Sequence, residues 1–244
     1  MFKLMQVELL KIRRSLALLM MLACPLVVVV LIMSVILRNT PLAAFNVAVW
    51  GQVQLGITAL WSYFMLPLYV ALTTSLVNGN EHRNQTWRLM LTLPINQHQL
   101  FFAKALVAWL LIVGSNMALV VFVAVAIVLV GAAGYPVDGA FGNDLALLML
   151  KIPIACLPIL IVQHAISWRF GNIVLPLAVG VIATMGITQV GSSEYWVYYP
   201  WSYVLMAVNG NSAPMQQHAL VLAVGLGLVL YGLSTVWLGR REVV

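Results

Sequence analysis

Charged residues are scarce in this chain of 244 residues. Lys and Arg together number 12, Asp and Glu number 6, and charged residues make up 7% of the sequence, against 63% for hydrophobic residues. Soluble domains carry about 25% charged residues, because their surfaces must be hydrated. The deficit excludes a soluble fold of this length and predicts that most of the surface faces lipid.

Motifs for nucleotide binding and hydrolysis are also missing. The sequence contains no G-x-x-x-x-G-K-[ST], no H-E-x-x-H and no G-x-S-x-G, so it offers no P-loop, no zinc-protease helix and no nucleophile elbow. Its two cysteines, Cys24 and Cys156, lie in apolar runs without C-x-x-C spacing, which favours small buried side chains over a metal site. We therefore expect no catalytic residue, no metal and no cofactor held by this chain.

Long uncharged runs predict helices that span a membrane. About 20 apolar residues cross the hydrocarbon layer, and backbone groups in lipid satisfy one another within a helix. A barrel would need short segments of strict alternation, whereas the run LVVVVLIMSVIL is unbroken. We predict an all-α membrane protein that forms one transmembrane domain over residues 1–244. Its six predicted spans cover residues 15–37, 54–77, 97–130, 145–168, 173–190 and 218–238.

The distribution of Lys and Arg predicts the orientation. Loops on the cytoplasmic side carry the excess of these residues. With a cytoplasmic N-terminus, the outer side holds two, Arg38 and Lys151. The inner side holds the other ten: Lys3, Lys11, Arg13, Arg14, Arg83, Arg88, Lys104, Arg169, Arg240 and Arg241. We predict a multi-pass protein of the inner, cytoplasmic membrane with both termini inside, and its net charge of +6 fits these loops better than a nucleic-acid partner.

Residues 1–14, MFKLMQVELLKIRR, have an amphipathic pattern. Phe2, Met5, Leu9 and Ile12 recur at helical spacing. A basic amphipathic helix before a span is typical of a segment that lies along the inner leaflet. The alternative is a simple orientation signal without a fixed position.

An aromatic outer segment precedes the last predicted span. Residues 191–217 hold six Tyr and Trp side chains within nine positions, and such rings prefer the headgroup level. The segment therefore predicts an element in or dipping into the outer interface. It is either an ordinary aromatic belt or an outer gate formed by Tyr195, Trp196, Tyr199 and Trp201.

Few polar side chains lie within the predicted spans. Lys151 either extends to the interface or faces a cavity, and His164 is either a hydrogen-bond partner between helices or a proton relay. Pro153 and Pro158 predict a bend in the fourth span. The candidates for a polar substrate path are Asn116, Lys151, Gln163, His164, Thr184, Thr188 and Gln189.

The stretch EHRNQTWRLMLTLPINQHQLFFAK, residues 81–104, breaks the apolar pattern on the predicted inner side. Residues 81–93 contain neither Gly nor Pro and predict a short helix, with Arg83, Trp87 and Leu91 on one face. A large aromatic residue beside Arg is the composition of a docking hot spot. The alternative is an amphipathic loop that rests on lipid headgroups.

The second half of this stretch predicts the start of the third span. Pro94 ends the short helix and biases the preceding residue away from helical geometry. Asn96 is a good N-cap, and Gln99 stands three residues later, as in a capping box. The third helix should therefore begin about eight residues before Lys104, or roughly 12 Å below the hydrocarbon.

Three parts of the chain together resemble a known family. They are VELLKIRRS near the start, NGNEHRNQTWRLMLTLPINQHQLFFAK after the second predicted span, and the long outer segment before the last one. This pattern resembles ABC-2 type permeases, the membrane subunits of ATP-driven exporters, and most of all the lantibiotic-immunity and bacitracin-resistance permeases. The resemblance implies an N-terminal elbow helix, a coupling helix that docks on a separate ATPase, and re-entrant helices before the sixth span.

The resemblance also implies roles for particular residues. Glu8, Lys11 and Arg13 would belong to the elbow helix. The coupling segment, residues 81–94, would include Glu81, Arg83, Thr86, Trp87, Arg88, Leu91 and Pro94. ATP and Mg would be bound by the partner ATPase, present in two copies, and a second permease copy or a related subunit would complete the transporter in the lipid bilayer.

The sequence therefore predicts an exporter permease that moves a hydrophobic or amphipathic substrate, such as a peptide antibiotic, a drug or a lipid. The alternative is an ATP-independent secondary carrier or channel, which would need ionisable groups at the membrane midplane. A third hypothesis is an intramembrane enzyme or an assembly subunit. No nucleophile–base pair supports it.

Overall fold

The fold is that of a computed structural model, which describes residues 2–13, 15–83, 96–141, 145–191 and 193–238. Within these ranges every regular element is helical, as the sequence predicts. The longer helices are α1 (Phe2–Ile12), α2 (Leu16–Asn39), α3 (Val47–Leu60), α4 (Leu66–Arg83), α5 (Gln97–Ala132), α6 (Leu145–Ala155), α7 (Leu157–Arg169), α8 (Val174–Val190), α9 (Ser202–Asn209) and α10 (Ala213–Leu238). Short 3₁₀ turns cover Leu42–Ala44 and Glu194–Tyr198, and a π-helical turn covers Trp61–Met65.

Four helical stretches are long and apolar enough to cross a membrane: Leu16–Asn39, Val47–Gly79, Gln97–Ala132 and Ala213–Trp237. A fifth candidate is the bent pair Met149–Ala155 and Leu157–Arg169. Helix α8, the predicted fifth span, has 17 residues, which is at the lower limit of the roughly 17–25 residues that cross a membrane. The described residues thus contain four or five candidate spans of a polytopic helical protein. Six spans and cytoplasmic termini stay predictions.

The second span is longer than its predicted range, 54–77. Its helix begins at Val47 because the Asn46 side chain caps it, accepting hydrogen bonds from the backbone N–H groups of Ala48 (2.9 Å) and Val49 (3.2 Å). The π-helical turn Trp61–Met65 then joins α3 to α4. The Trp61 indole N–H donates to Asn116 Oδ1 of α5 at 3.0 Å. Such turns are rare and occur frequently at functional sites.

The third span begins where the sequence predicts. Asn96 is the N-cap of α5, and its side chain accepts a hydrogen bond from the His98 backbone N–H at 2.9 Å, so this prediction is confirmed. The helix has 36 residues. At about 1.5 Å per residue it is roughly 54 Å long, which exceeds the hydrocarbon layer of about 30 Å. One end of α5 therefore has the length to extend beyond the membrane.

The predicted bend of the fourth span is confirmed. Helices α6 and α7 meet at Cys156 with an angle of 48°. Pro153 and Pro158 lack the N–H groups that would continue the helical hydrogen bonds. The Trp109 indole N–H of α5 donates to the Pro153 carbonyl at 3.0 Å, which ties the bend to the neighbouring helix.

Packing places the second span at the centre of the bundle. Helix α4 contacts α7, α8, α5 and α2, while α2 packs mainly on α5, and α10 packs on α7 and α9. The outer segment also enters this packing, because α9 lies against α6 and α10 and buries Tyr203 and Val204. This part of residues 191–217 is therefore a packed helix, and its position relative to the membrane interface stays a prediction.

Candidate functional site

A salt bridge joins the two helices that flank residues 84–95, which lie outside the described part of the chain. Glu81 occupies the last turn of α4, and Lys104 lies in the second turn of α5. Their Nζ–Oε1 distance is 2.9 Å. The two ends of the predicted coupling segment are therefore held together by one ion pair.

Helix α1 contributes Glu8 and Lys11, which join this pair in a closed ring of four charged side chains. Lys104 Nζ donates to Glu8 Oε2 at 2.7 Å, and Lys11 Nζ donates to Glu8 Oε1 at 2.6 Å and to Glu81 Oε1 at 2.9 Å. Each carboxylate therefore contacts both lysines. We call these four residues, Glu8, Lys11, Glu81 and Lys104, the ionic ring.

The ionic ring is buried and electrically balanced. The exposed fraction is 0% for the Lys104 side chain, 2% for Glu81 and 3% for Glu8, while Lys11 keeps 30%. Lys104 uses its third donor on the Val77 carbonyl at 3.3 Å, so all three ammonium protons have acceptors. Two acids against two lysines leave no net charge, which lowers the cost of placing ions inside the bundle.

The pKa directions agree with this geometry. Burial by itself would raise the pKa of Glu81, but the attraction of Lys104 and hydrogen bonds from Lys104 and Lys11 lower it from its ordinary value of 4.5. Burial would likewise lower the pKa of Lys11, but hydrogen bonds and attraction to Glu8 and Glu81 raise it from 10.5. Both groups are therefore ionised over a wide pH range around neutrality.

The ring gives α1 an orientation that its hydrophobic pattern does not predict. Glu8 points into the bundle, whereas Val7, Leu9 and Leu10 are exposed and Ile12 is buried. The predicted lipid-facing set is thus divided between the core and the outside. Helix α1 is attached to α5 and α4 by charges, and Gln6, Val7, Leu9 and Leu10 are among its exposed residues.

A second polar layer lies about one helical turn before Glu81 along α4. The Asn78 amide of α4 donates to His164 Nδ1 at 3.0 Å and to Ser167 Oγ at 2.7 Å, both on α7. His164 Nδ1 is then an acceptor, so the ring proton is on Nε2, which donates to the Phe101 carbonyl of α5 at 3.2 Å. His164 therefore connects three helices, as the hydrogen-bonding alternative predicts.

The other candidates for the polar substrate path lie in three separate places in the structure. Asn116 is buried beside Trp61, and Lys151 donates to Gln216 Oε1 at 2.9 Å. Gln163 is buried against α8, with its amide within hydrogen-bonding distance of the Pro176 carbonyl (3.1 Å) and the Gly180 N–H (3.2 Å). In α8 itself, Thr184 is buried, whereas Thr188 and Gln189 are exposed. The structure therefore does not gather these residues into one site.

Two cavities lie at opposite ends of α8, beside the second span, and we name them the outer and the inner cavity after the predicted orientation. The outer cavity has a volume of about 470 Å³ and is lined by Tyr63 of the π-helical turn, Thr188, Trp196, Asn209 and neighbouring apolar residues. The inner cavity has a volume of about 490 Å³, and Ser75, His82 and Asn172 are among its lining residues. Both volumes fall within the roughly 300–1,000 Å³ of ligand pockets.

The four predicted gate residues also occupy different environments. Tyr195 is 70% exposed, whereas Trp196 and Trp201 are each 7% exposed. The Tyr199 hydroxyl donates to the Ala183 carbonyl of α8. Trp196 lines the outer cavity, so it is the member of this group that both packs in the bundle and faces a space where a ligand fits.

The residues of the coupling and elbow segments are placed in part. Thr86, Trp87, Arg88, Leu91 and Pro94 lie outside the described residues, and Arg83 is the last residue of α4. Residues 81–83 continue helix α4 beyond the candidate span Val47–Gly79. Arg13 is exposed at the end of α1.

Sequence reasoning did not identify two features of this site. It treated Lys104 only as an inner-side cation, and it assigned no role to Asn78. A buried lysine within an apolar helix is the available signal for the first, because such a charge requires partners. Asn78 stands near the end of a span and resembles an ordinary polar boundary residue, so no signal distinguished it.

Comparison with known proteins was made for the whole chain. A family model described as ABC-2 family transporter protein matches residues 4–187. No curated protein matches, and no solved structure matches. The matched region extends from α1 through most of α8. It contains the ionic ring and the second polar layer around Asn78 and His164. Proteins of this family are membrane transport subunits that associate with an ABC ATPase, and the lantibiotic-immunity subtype stays a prediction. The chain therefore belongs to the ABC-2 transporter family and is an ABC-type permease, which is a multi-pass membrane protein.

Proposed function

We propose that this permease is the membrane subunit of an ATP-driven exporter, and that the predicted coupling segment, residues 81–94, receives the motion of its partner ATPase. The observation that carries the proposal is the ionic ring. It joins the helix that enters this segment, the helix that leaves it, and α1. A surface for docking would need such an attachment, because a loop that moved alone would transmit nothing to the spans.

The ring makes these three helices move together. Separating one buried ion from its partners costs about 3–5 kcal/mol, so a displacement of residues 84–95 would carry α4, α5 and α1 as a unit. Asn78 then passes the displacement of α4 to α7 through its bonds to His164 and Ser167. In this mechanism ATP and Mg are bound by two ATPase subunits, and the permease supplies the moving helices.

The face between α4 and α8 is the proposed cargo path. It has a cavity at each end, and α8 exposes Thr188 and Gln189, which a second permease copy would cover. The described residues of one chain provide four or five candidate spans, which supports pairing with a second copy or a related subunit. The outer cavity has neutral polar and aromatic walls, which fit an amphipathic cargo such as a peptide, a drug or a lipid.

The experiment separates docking from transmission. The permease is purified with the ABC ATPase that copurifies with it, and the complex is reconstituted in vesicles for ATP-driven transport. Trp87→Ala with Arg88→Ala should abolish copurification by removing the docking anchors. Glu81→Gln should leave copurification unchanged, because the Glu81 side chain is buried in the ionic ring, but should lower the amount transported per ATP hydrolysed.

Arg38→Gln, an exposed cation at the other end of α2, is the matched control and should change neither quantity. If the Trp87 and Arg88 variant still binds the ATPase and transports at the wild-type rate, this segment is not the docking site. Transport by the chain alone under an ion gradient would instead support a secondary carrier.

A further inference from the structure

A groove on the outer side of α1 has the form of a lipid site. Its walls come from α1, α2 and α5, and its volume is about 660 Å³. Val107 and Leu111 form a floor that is largely buried, and Leu9, Leu10, Leu18 and Leu110 form an exposed rim. The lining is thus a continuous apolar surface, with Gln6 and Arg13 as its polar members.

The charge at this groove is positive and has no counterion among the described residues. Arg13 lines the groove, is exposed, and forms no ion pair with a described acidic side chain. The two acids of α1 and the end of α4, Glu8 and Glu81, are paired with Lys11 and Lys104. The ionic ring therefore neutralises these acids, and the Arg13 guanidinium stays exposed at the groove.

The polar and apolar parts of the groove lie at the depths that a phospholipid requires. Arg13 precedes the first residue of α2, Leu16, by three positions, so it stands where the first span enters the membrane. Leu18 lies inside that span. Leu111 follows Lys104 by seven residues, or about 10 Å along α5, and so extends the apolar surface toward the bilayer centre.

We infer that this groove binds an anionic phospholipid from the leaflet on the α1 side, with its phosphate on Arg13 and an acyl chain along Leu9, Leu110 and Leu111. A guanidinium forms paired hydrogen bonds with phosphate oxygens, which a zwitterionic lipid offers with less net attraction. The positive-inside pattern makes this the inner leaflet, where anionic lipids attract basic segments. The inference concerns lipid alone and does not depend on ATPase coupling.

The test measures lipid retention by the whole chain. The protein is reconstituted in vesicles of phosphatidylglycerol and phosphatidylethanolamine in equal amounts, extracted in mild detergent, and examined by native mass spectrometry. We expect the wild type to retain phosphatidylglycerol in preference to phosphatidylethanolamine. Arg13→Gln should lower the retained phosphatidylglycerol about tenfold, and Arg13→Lys should lower it less, because the charge remains.

Two further variants separate a site from general lipid contact. Leu110→Trp fills the groove and should also lower retention about tenfold, whereas Leu228→Trp, at an exposed leucine of α10, should have no effect. Equal retention in the wild type, Arg13→Gln and Leu110→Trp would overturn the inference. Loss of dimers in these variants with unchanged lipid would also overturn it, since the groove would then be a contact between two copies of the chain.

Discussion

Replacing Lys104 with Met removes the cation that Glu8 and Glu81 share. The change keeps an unbranched apolar stem but leaves Lys11 alone with two carboxylates, so the ring passes from neutral to a net charge of −1. Glu8 and Glu81 are 3% and 2% exposed, and water therefore cannot replace the lost partner. Removing one member of a buried ion pair costs about 3–5 kcal/mol. For a chain of this size each kcal/mol lowers Tm by about 2–4 °C, so the expected loss is about 6–20 °C.

A second variant tests whether charge balance is the cause. Lys104→Met combined with Glu8→Gln is again neutral and keeps the pair between Lys11 and Glu81, which are 2.9 Å apart. It should therefore be more stable than Lys104→Met by about 0.5–3 kcal/mol, the usual coupling between residues in one network. Arg38→Met, an exposed cation outside the ring, is the control and should change stability by about 0.5 kcal/mol or less.

The assay is thermal unfolding of the purified chain in one detergent, followed by intrinsic fluorescence. The heating rate must be the same for every variant, because irreversible unfolding makes the apparent Tm depend on it. An apparent Tm for Lys104→Met within about 2 °C of the wild type would refute a stabilising role for the ring. A double variant no more stable than the single one would refute the argument from charge balance.

Two further predictions use the same assay. Because the pKa of Glu81 is lowered, its contribution to stability is present above pH 4.5 and is lost as pH falls further. Because the pKa of Lys11 is raised, its contribution is present below pH 10.5 and is lost as pH rises further. The wild type should therefore show a Tm plateau between these values, and Glu81→Gln should lack the acid-side fall that Glu81 causes. Gly180→Ala would place a Cβ 2.5 Å from Ala71 Cβ, forcing α4 and α8 apart at a cost of about 1–3 kcal/mol. Gly225→Ala, where a Cβ meets nothing within 4 Å, should be neutral or stabilising, and equal loss in both glycine variants would contradict this reasoning.

Features with a local cause were predictable from the sequence. The cap of Asn96 depends on one side chain and the two residues after it, and the bend at α6–α7 depends on two prolines whose missing N–H groups act within one turn. The helical class follows from composition, because lipid excludes unpaired backbone groups. The π-helical turn Trp61–Met65 was not predictable, since it requires only one extra residue per turn and is stabilised partly by distant Asn116.

The residue types of the outer segment serve two environments equally well, so they did not predict that α9 packs against α6 and α10. Tyr and Trp favour the headgroup level because their polar tips need partners there. In the structure the segment supplies some of those partners itself. The Tyr203 hydroxyl donates to the Val197 carbonyl at 2.6 Å, and the Ser202 hydroxyl donates to the Trp196 carbonyl at 2.8 Å. The Tyr199 hydroxyl donates instead to the Ala183 carbonyl of α8. With the Tyr203 hydroxyl satisfied within the segment, α9 can be buried, and composition alone cannot distinguish the two outcomes.

Neither the sequence pattern nor the family resemblance predicts the ionic ring. The resemblance assigns Glu8 and Lys11 to an elbow helix and Glu81 to a coupling segment, which are separate parts of the chain. In the structure Glu8 and Glu81 each lie within 2.9 Å of both Lys11 and Lys104. In a chain with so few charges, each buried ion needs an opposite one, and the residues that satisfy it come from three distant helices. Helix α1 and the last turn of α4 are therefore joined by charge. Under the coupling proposed above, a substitution in α1 should affect coupling as strongly as a substitution at Glu81.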